Sequence, residues 1–265
     1  CDREVVTEYS STTSRAVIQH DLSSDSNVYA SLSEGFKAGG YATYECTDPY
    51  DPEEVVSLEF GFKGSLGENS SLNASLFRYD YTDFQVLQVV GLQTVTRNAG
   101  DATVNGLEIE AFSNVSDSLT LNYGITLLDA TYGEFLNTNG IEPQLGEQQL
   151  EGNYLTNAPK VSINLGLNYT SAMASGASLT YRANAAYKSR IYFSEFNEYS
   201  QDAYTILDLN LIWESADETM RSRFFIKNAT DEDYVSGYLS AATGGGRFGQ
   251  WGYPRTVGIE IQRNF

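Results

Sequence analysis

Nowhere in this sequence is there an apolar run approaching the roughly 18 residues that a membrane-spanning helix requires. That absence excludes a helical membrane protein but leaves a membrane barrel open, because barrel strands are apolar only at alternate positions. Histidine occurs once, as His20, and cysteine twice, as Cys1 and Cys46, with no metal-ligand spacing among them. A zinc site and a disulfide-built scaffold are therefore not expected. Cations are scarce: 16 Lys and Arg face 35 Asp and Glu, and the formal charge of -19 repels phosphate backbones, so nucleic acid is not an expected partner. Proline is confined to five positions, all in the long connecting segments or at the start of a strand. The chain of 265 residues opens on Cys1 without an initiator methionine, a basic leader or an apolar leader core, so it is expected to begin inside a longer protein or after processing.

What is present favours β-structure. Aromatics make up 13% of the chain, led by 19 tyrosines, and 23 glycines supply turns. Period-two alternation runs through nearly all of it. From Leu119 to Leu127 the odd positions read Leu, Leu, Tyr, Ile, Leu and the even ones Thr, Asn, Gly, Thr. Ile163 to Tyr169, Leu179 to Tyr187 and Leu207 to Trp213 divide in the same way. The pattern predicts about eleven strands, at 13-20, 27-35, 55-64, 71-88, 94-113, 118-132, 160-170, 176-190, 203-214, 220-229 and 254-265. Short polar turns alternate with longer segments, and only the link near Val89 to Gln93 is short where a long one is due. Adjoining apolar residues at Leu76 and Phe77 shift the phase and predict a β-bulge.

Strands of about ten residues with one apolar face, joined by short turns at one end and long loops at the other, build outer-membrane barrels. A soluble sandwich alternates too. Two features favour the barrel. Stretches such as Ser71 to Gln88 exceed the usual strand of about five or six residues. Charges also stand at mid-strand on the polar face, at Glu59, Lys63, Glu108, Arg182, Asp208 and Glu260, where a dry core does not tolerate them unpaired. The expected fold class is all-β, an antiparallel transmembrane barrel with apolar side chains toward lipid and polar ones toward a wet interior. An odd number of antiparallel strands cannot close, so residues 1-265 are expected to form the C-terminal half of a larger barrel. With the last strand ending at the periplasmic rim, every long segment falls outside the cell.

The stretch "NVYASLSEGFKAGGY" (27-41) resembles the C-terminal half of TonB-dependent outer-membrane receptors. So do "SLEFGFKG" (57-64), "SLFRYDYTDFQV" (75-86), "RNAGDATVNGLEIEA" (97-111), "FFIKNATDEDY" (224-234) and the closing "PRTVGIEIQRNF", in that family's order. The resemblance implies a barrel of roughly 22 strands, filled by an N-terminal plug whose TonB box lies outside these residues. It implies active import of a scarce, bulky ligand across the bacterial outer membrane, most often a ferric siderophore and otherwise haem, cobalamin or an oligosaccharide, energised through the TonB complex. Lipopolysaccharide and outer-membrane lipid surround such a barrel, and its terminal aromatic, here Phe265, is the signal read by the barrel-assembly machinery. The resemblance implies neither a cofactor nor a catalytic residue.

Ligand contact is expected from the long segments, with Lys37, Tyr41, Tyr50, Tyr199, Arg247 and Trp251 as candidates. Tyrosine and tryptophan suit capture because they offer rigid area with a polar handle, although any single ring can equally belong to the interfacial girdle. Arg247 and Trp251 stand together in "GGGRFGQWGY", where three glycines formally match a dinucleotide fingerprint but no helix pattern follows. Arg97 and Glu108 are expected to pair with lumen neighbours or the plug. Acid clusters crowd the outer segments (Asp48 to Glu54, Glu195 to Asp202, Asp231 to Asp233) and suit either a solvated rim or loop-bound Ca²⁺. Such loops are expected to repel a highly anionic chelate. Cys1 and Cys46 both fall on the outer side, where a Cys1 to Cys46 disulfide or a partner upstream of Cys1 is expected. An outer-membrane barrel enzyme and a passive porin are the alternatives. The enzyme requires an activated nucleophile, and His20 lies near the periplasmic end, away from the loops.

Overall fold

The computed structural model describes residues 6–41, 49–90, 93–241 and 246–264. Cys1, Cys46 and Phe265, with the disulfide and assembly signal expected of them, lie outside the described residues. Eleven antiparallel strands form one sheet in chain order. They are β1 (Arg15–Asp21), β2 (Ser26–Lys37), β3 (Glu53–Ser65), β4 (Ser70–Thr82), β5 (Ala102–Ser116), β6 (Leu119–Tyr132), β7 (Val161–Ala172), β8 (Ser178–Lys188), β9 (Tyr204–Glu214), β10 (Met220–Lys227) and β11 (Thr256–Arg263). Each strand pairs with its neighbours in the chain, so connection length alone separates the two ends of the sheet.

At the short-turn end the chain reverses through a few residues with local chemistry to match. Gly67 and Gly176 adopt φ of 74° and 86°, which only glycine takes without strain. In the turn after β9, Asp217 accepts from Ser215 Oγ at 2.7 Å, Thr219 Oγ1 at 2.9 Å and Thr219 N at 3.2 Å, bonds that hold its carboxyl below the usual range. At the other end, four small two-stranded ladders rise above the sheet: Gln85–Val90 with Gln93–Asn98, Leu136–Thr138 with Glu147–Gln149, Ile191–Tyr192 with Ser200–Gln201, and Val235–Ala241 with Gly246–Trp251.

These ladders correct two expectations. The strands predicted at 71-88 and 94-113 are each divided: Asp83 takes a left-handed φ of 54° after β4, and the chain restarts in a separate hairpin before entering β5 at Ala102. Val90 pairs with Gln93 within that hairpin, so the whole of 83–101 is a long connection and the alternation of short and long connections between the eleven strands holds. Nor does a bulge occur at Leu76 and Phe77, where β3 and β4 run in continuous register. Leu76 faces one way, while Phe77 lies flat over Gly106 on the other, where an added Cβ would stand 2.1 Å from the ring. Tyr29 over Gly61 and Phe225 over Gly258 repeat the device, the aromatic covering surface that glycine leaves bare. The bulge falls instead between Asn114 and Ser116, opposite β6.

Register decides the faces. Val28, Leu32, Leu58, Phe60, Leu76, Leu107, Ile109, Ile125, Leu127, Ile163, Leu165, Leu209, Phe224 and Ile259 all fall on one side, matched strand to strand. The six mid-strand charges, from Glu59 to Glu260, all fall on the other. No second layer covers the apolar side among the described residues: Leu209 is 37% and Ile259 69% exposed. A sandwich would bury them. The apolar run on β7 from Val161 to Tyr169 spans about 20 Å at ~3.4 Å per residue and a tilt of roughly 45°, close to the height of a hydrocarbon band. The buried apolar cluster sits beyond the sheet, at its long-loop end, where Ala99, Tyr132, Phe135 and Leu150 pack with Phe84, Val86, Leu155 and Phe196.

Candidate functional site

The long connections form a built structure with its own small core. Phe84 from the 83–101 segment meets Tyr132 at 6.3 Å between ring centroids, and Tyr132 meets Phe135 at 5.4 Å. Gly100 lets two segments touch, since a Cβ there would lie 1.5 Å from the Glu134 carbonyl oxygen. Rings dominate this core because aromatics bury large area for few rotatable bonds.

Beside it, the connection between β6 and β7 is clasped to the connection between β8 and β9 by side-chain amides. Asn137 Nδ2 donates to Glu195 Oε1 at 3.1 Å, and Asn139 Nδ2 to Glu198 Oε1 at 2.9 Å. Asn153 Nδ2 donates to the Glu195 carbonyl at 2.9 Å. Asn197, held at a φ of 54°, accepts from Tyr154 N at 2.7 Å and donates to the Tyr154 carbonyl at 2.9 Å. Asn137 and Asn139 are buried, so these bonds are made away from competing water.

Burial pushes the Glu195 carboxyl above its ordinary value of 4.5, and the neighbouring Glu198 charge adds to the rise. A carboxyl whose folded pKa is raised stabilises the fold below its unfolded pKa, and that contribution is lost as pH climbs through the folded value. The clasp should therefore weaken from about pH 4.5 upward. Glu195→Gln, which removes the charge but retains an acceptor for Asn137, should abolish that dependence. Protection of residues 133–160 and 189–203 from amide exchange at several pH values measures it, and an unchanged pH profile in the variant would refute it.

Tyrosines gather around the clasp. Tyr199 stacks on Tyr238 at 4.7 Å, and Phe193 on the same Tyr238 at 6.3 Å. Tyr154 stacks on Tyr192 at 5.7 Å, with Lys160 Nζ 4.0 Å from the Tyr154 centroid and donating to its hydroxyl. That bond holds the Lys160 ammonium above its usual pKa. On the polar wall of the sheet, Tyr29, Glu59, Lys63, Tyr79, Glu108 and Glu110 line a cavity of about 260 Å³. The Tyr29 hydroxyl donates to Glu59 there, and Lys63 lies 5.3 Å over the Tyr29 ring.

The candidate ligand residues divide into two places. Tyr199 is drawn to the hairpin that bears Arg247 and Trp251, through Tyr238. Trp251 is exposed at the foot of that hairpin, opposite Val235. Arg247 sits opposite Ser240, its side chain outside the described residues. Lys37 ends β2, and Tyr41 and Tyr50 belong to the connection between β2 and β3, toward the opposite edge of the sheet. Lys37 pairs with Glu53 at 3.7 Å, while Tyr50 makes a bridge to Gly40 and its carbonyl accepts from Tyr9 at 3.2 Å.

The loop acids are largely engaged within the fold. Besides Glu195 and Glu198, Asp202 pairs with Arg190 at 2.7 Å and Asp231 with Arg255 at 3.0 Å. Among the described residues no three His, Cys, Asp or Glu side chains converge on a metal position. Asn137, Asn139, Asn153 and Asn197 did not emerge from sequence reading. They stand in Asn-rich loops, but their partners are 42 to 59 residues away, beyond any local pattern.

Three known proteins place the molecule. A family model described as TonB dependent receptor-like, beta-barrel matches residues 3–229. The pesticin receptor of Yersinia enterocolitica is 26% identical over 250 residues, 92% of this chain and 34% of that protein. The probable TonB-dependent siderophore receptor PiuA of Acinetobacter baumannii is 27% identical over 191 residues, 70% of this chain and 24% of that protein. The crystal structure of the ferric yersiniabactin uptake receptor FyuA from Yersinia pestis shares the fold with a TM-score of 0.79 at 21% identity, over 95% of this chain and 37% of that one. This chain thus spans about a quarter to a third of the length of the curated relatives it matches. With an uncovered apolar face and a family match over most of its length, the chain belongs to the TonB-dependent receptor β-barrels of the bacterial outer membrane.

Proposed function

We propose that this chain is the C-terminal part of a receptor barrel that imports a ferric siderophore with energy delivered through TonB. The observation that carries this reading is the organised cap of aromatic rings and clasped loops at the long-loop end, which suits capture of a bulky ligand better than passive diffusion. The relatives support it: receptors named for pesticin, for ferrioxamine B and for ferric pyoverdine match between 78% and 100% of this chain. Phe265 as the assembly signal, lipopolysaccharide as the surrounding lipid, and Ca²⁺ at the loop acids belong to the same proposal.

The test is growth. The full-length receptor, expressed in a strain without siderophore synthesis or other siderophore receptors, should restore growth under iron limitation on at least one ferric siderophore. Growth should disappear when TonB is removed. Rescue by haem alone, or uptake of only cobalamin or an oligosaccharide, would replace the siderophore, and growth independent of TonB would point to a porin.

A further inference from the structure

Charge on the polar wall is unevenly divided. On β1–β6 the register places three cations, Arg15, Lys37 and Lys63, against five acids, Asp21, Glu53, Glu59, Glu108 and Glu110. On β7–β11 the proportion reverses, with five cations, Arg182, Lys188, Arg221, Arg223 and Lys227, against three acids, Asp208, Glu214 and Glu260. In a chain with 35 acids and 16 cations, a basic half-wall runs against composition.

The basic half is also ordered. Arg182 Nε donates to Asn168 Oδ1 at 2.5 Å, Asn210 stands opposite Arg182 in register, and Arg223 Nε donates to Asn210 Oδ1 at 3.0 Å. Arg223 Nη1 reaches Glu260 at 3.4 Å, which completes a row across five strands. A neutral amide therefore orients Arg182 while leaving its charge uncancelled, whereas Arg223 is held between Asn210 and the Glu260 carboxylate, which offsets its charge. Lys188 and Lys227 stand above this row toward the long loops, and Arg221 below it toward the short turns, so cations recur at successive depths. At the mouth, Asp202 pairs with Arg190 and Asp231 with Arg255, while Glu195 and Glu198 accept from asparagines.

We propose that β7–β11 form the wall along which the imported ligand passes, and that this wall selects ferric chelates of net negative charge. The inference rests on the import function proposed above and adds the charge class of its substrate. A surface with an excess of one sign of charge concentrates the opposite sign and raises its on-rate, by about tenfold or more where that sign dominates. The acidic half-wall, facing the same lumen, does the reverse.

The test uses the full-length receptor in the iron-limited strain, with two probes: radiolabelled ferric citrate-type chelates of net negative charge, and ferrioxamine B, of net positive charge. Wild type should take up the anionic chelate in preference. Arg182→Gln with Arg223→Gln, which keeps a hydrogen-bond donor toward each asparagine, should cut anionic uptake about tenfold while surface binding by energy-depleted cells is retained. Arg182→Lys with Arg223→Lys should restore it. Heat-modified mobility on gels confirms that each variant is folded. Preference for the cationic chelate, or uptake unchanged in the glutamine variant, overturns the proposal. So does an antibiotic-permeable barrel with uptake lost for both charges, which would assign the row to holding an acidic segment from elsewhere in the receptor. Absence of uptake for any ferric chelate in wild type instead removes the import function itself.

Discussion

Replacing Leu165 by arginine in the full-length receptor should destabilise the folded barrel by about 2–4 kcal/mol, the cost of a cation near the bilayer midplane on a lipid-facing strand. Leu165 stands at the middle of the apolar run of β7, between Tyr123 on β6 and Ala185 on β8, and is 52% exposed. Its neighbour Asn164 points to the polar wall, opposite Gly124 and Ala186. Asn164→Arg should therefore cost no more than a fraction of that amount, although it adds the same charge one position away. Urea titration of folding into lipid vesicles measures both. Equal penalties would mean that the two faces do not meet different solvents, and the barrel assignment would fail with them.

The second large effect is expected at the clasp. Asn137→Leu conserves volume but leaves the buried Glu195 carboxylate without its side-chain donor, at a cost of about 1–3 kcal/mol. Because an orphaned charge costs more than an absent pair, combining it with Glu195→Leu should recover part of the loss. Amide exchange in 133–160 and 189–203 is the readout, since the clasp joins those two connections without contributing to the eleven-stranded sheet. If the double variant shows the sum of the single effects, the two side chains act independently and the clasp is not a unit.

A pH effect and a charge variant would separate the loops from the wall. Glu195 governs how firmly two connections are held together, whereas Arg182 and Arg223 lie on the sheet and leave the clasp untouched. Changes confined to one set of readouts would show that capture and passage are distinct steps in this barrel.

Most of the sheet was legible because alternation is local: β6, predicted at 118-132, runs from Leu119 to Tyr132, and β9, predicted at 203-214, from Tyr204 to Glu214. Where the pattern failed, the cause was also local. Apolar residues at alternate positions run through Phe77, Tyr79 and Tyr81 and resume at Phe84 and Val86 after one change of phase, and only the left-handed Asp83 shows that two ladders, not one, occupy that stretch. Phe77 misled for a related reason: an aromatic on the polar face marks a glycine across the strand, not a shift of phase.

Period-two hydrophobicity by itself determined that this chain makes strands and which residues share a face, since both follow from residues two apart, and the charges at mid-strand on the polar face argued against a dry core there. Tertiary structure alone decided which loop grips which, how the loop acids are occupied, and that cations collect on β7–β11. Those outcomes depend on register between strands and on partners tens of residues apart, and no periodicity in one dimension encodes which side chains closure of a sheet will bring within 3 Å of each other.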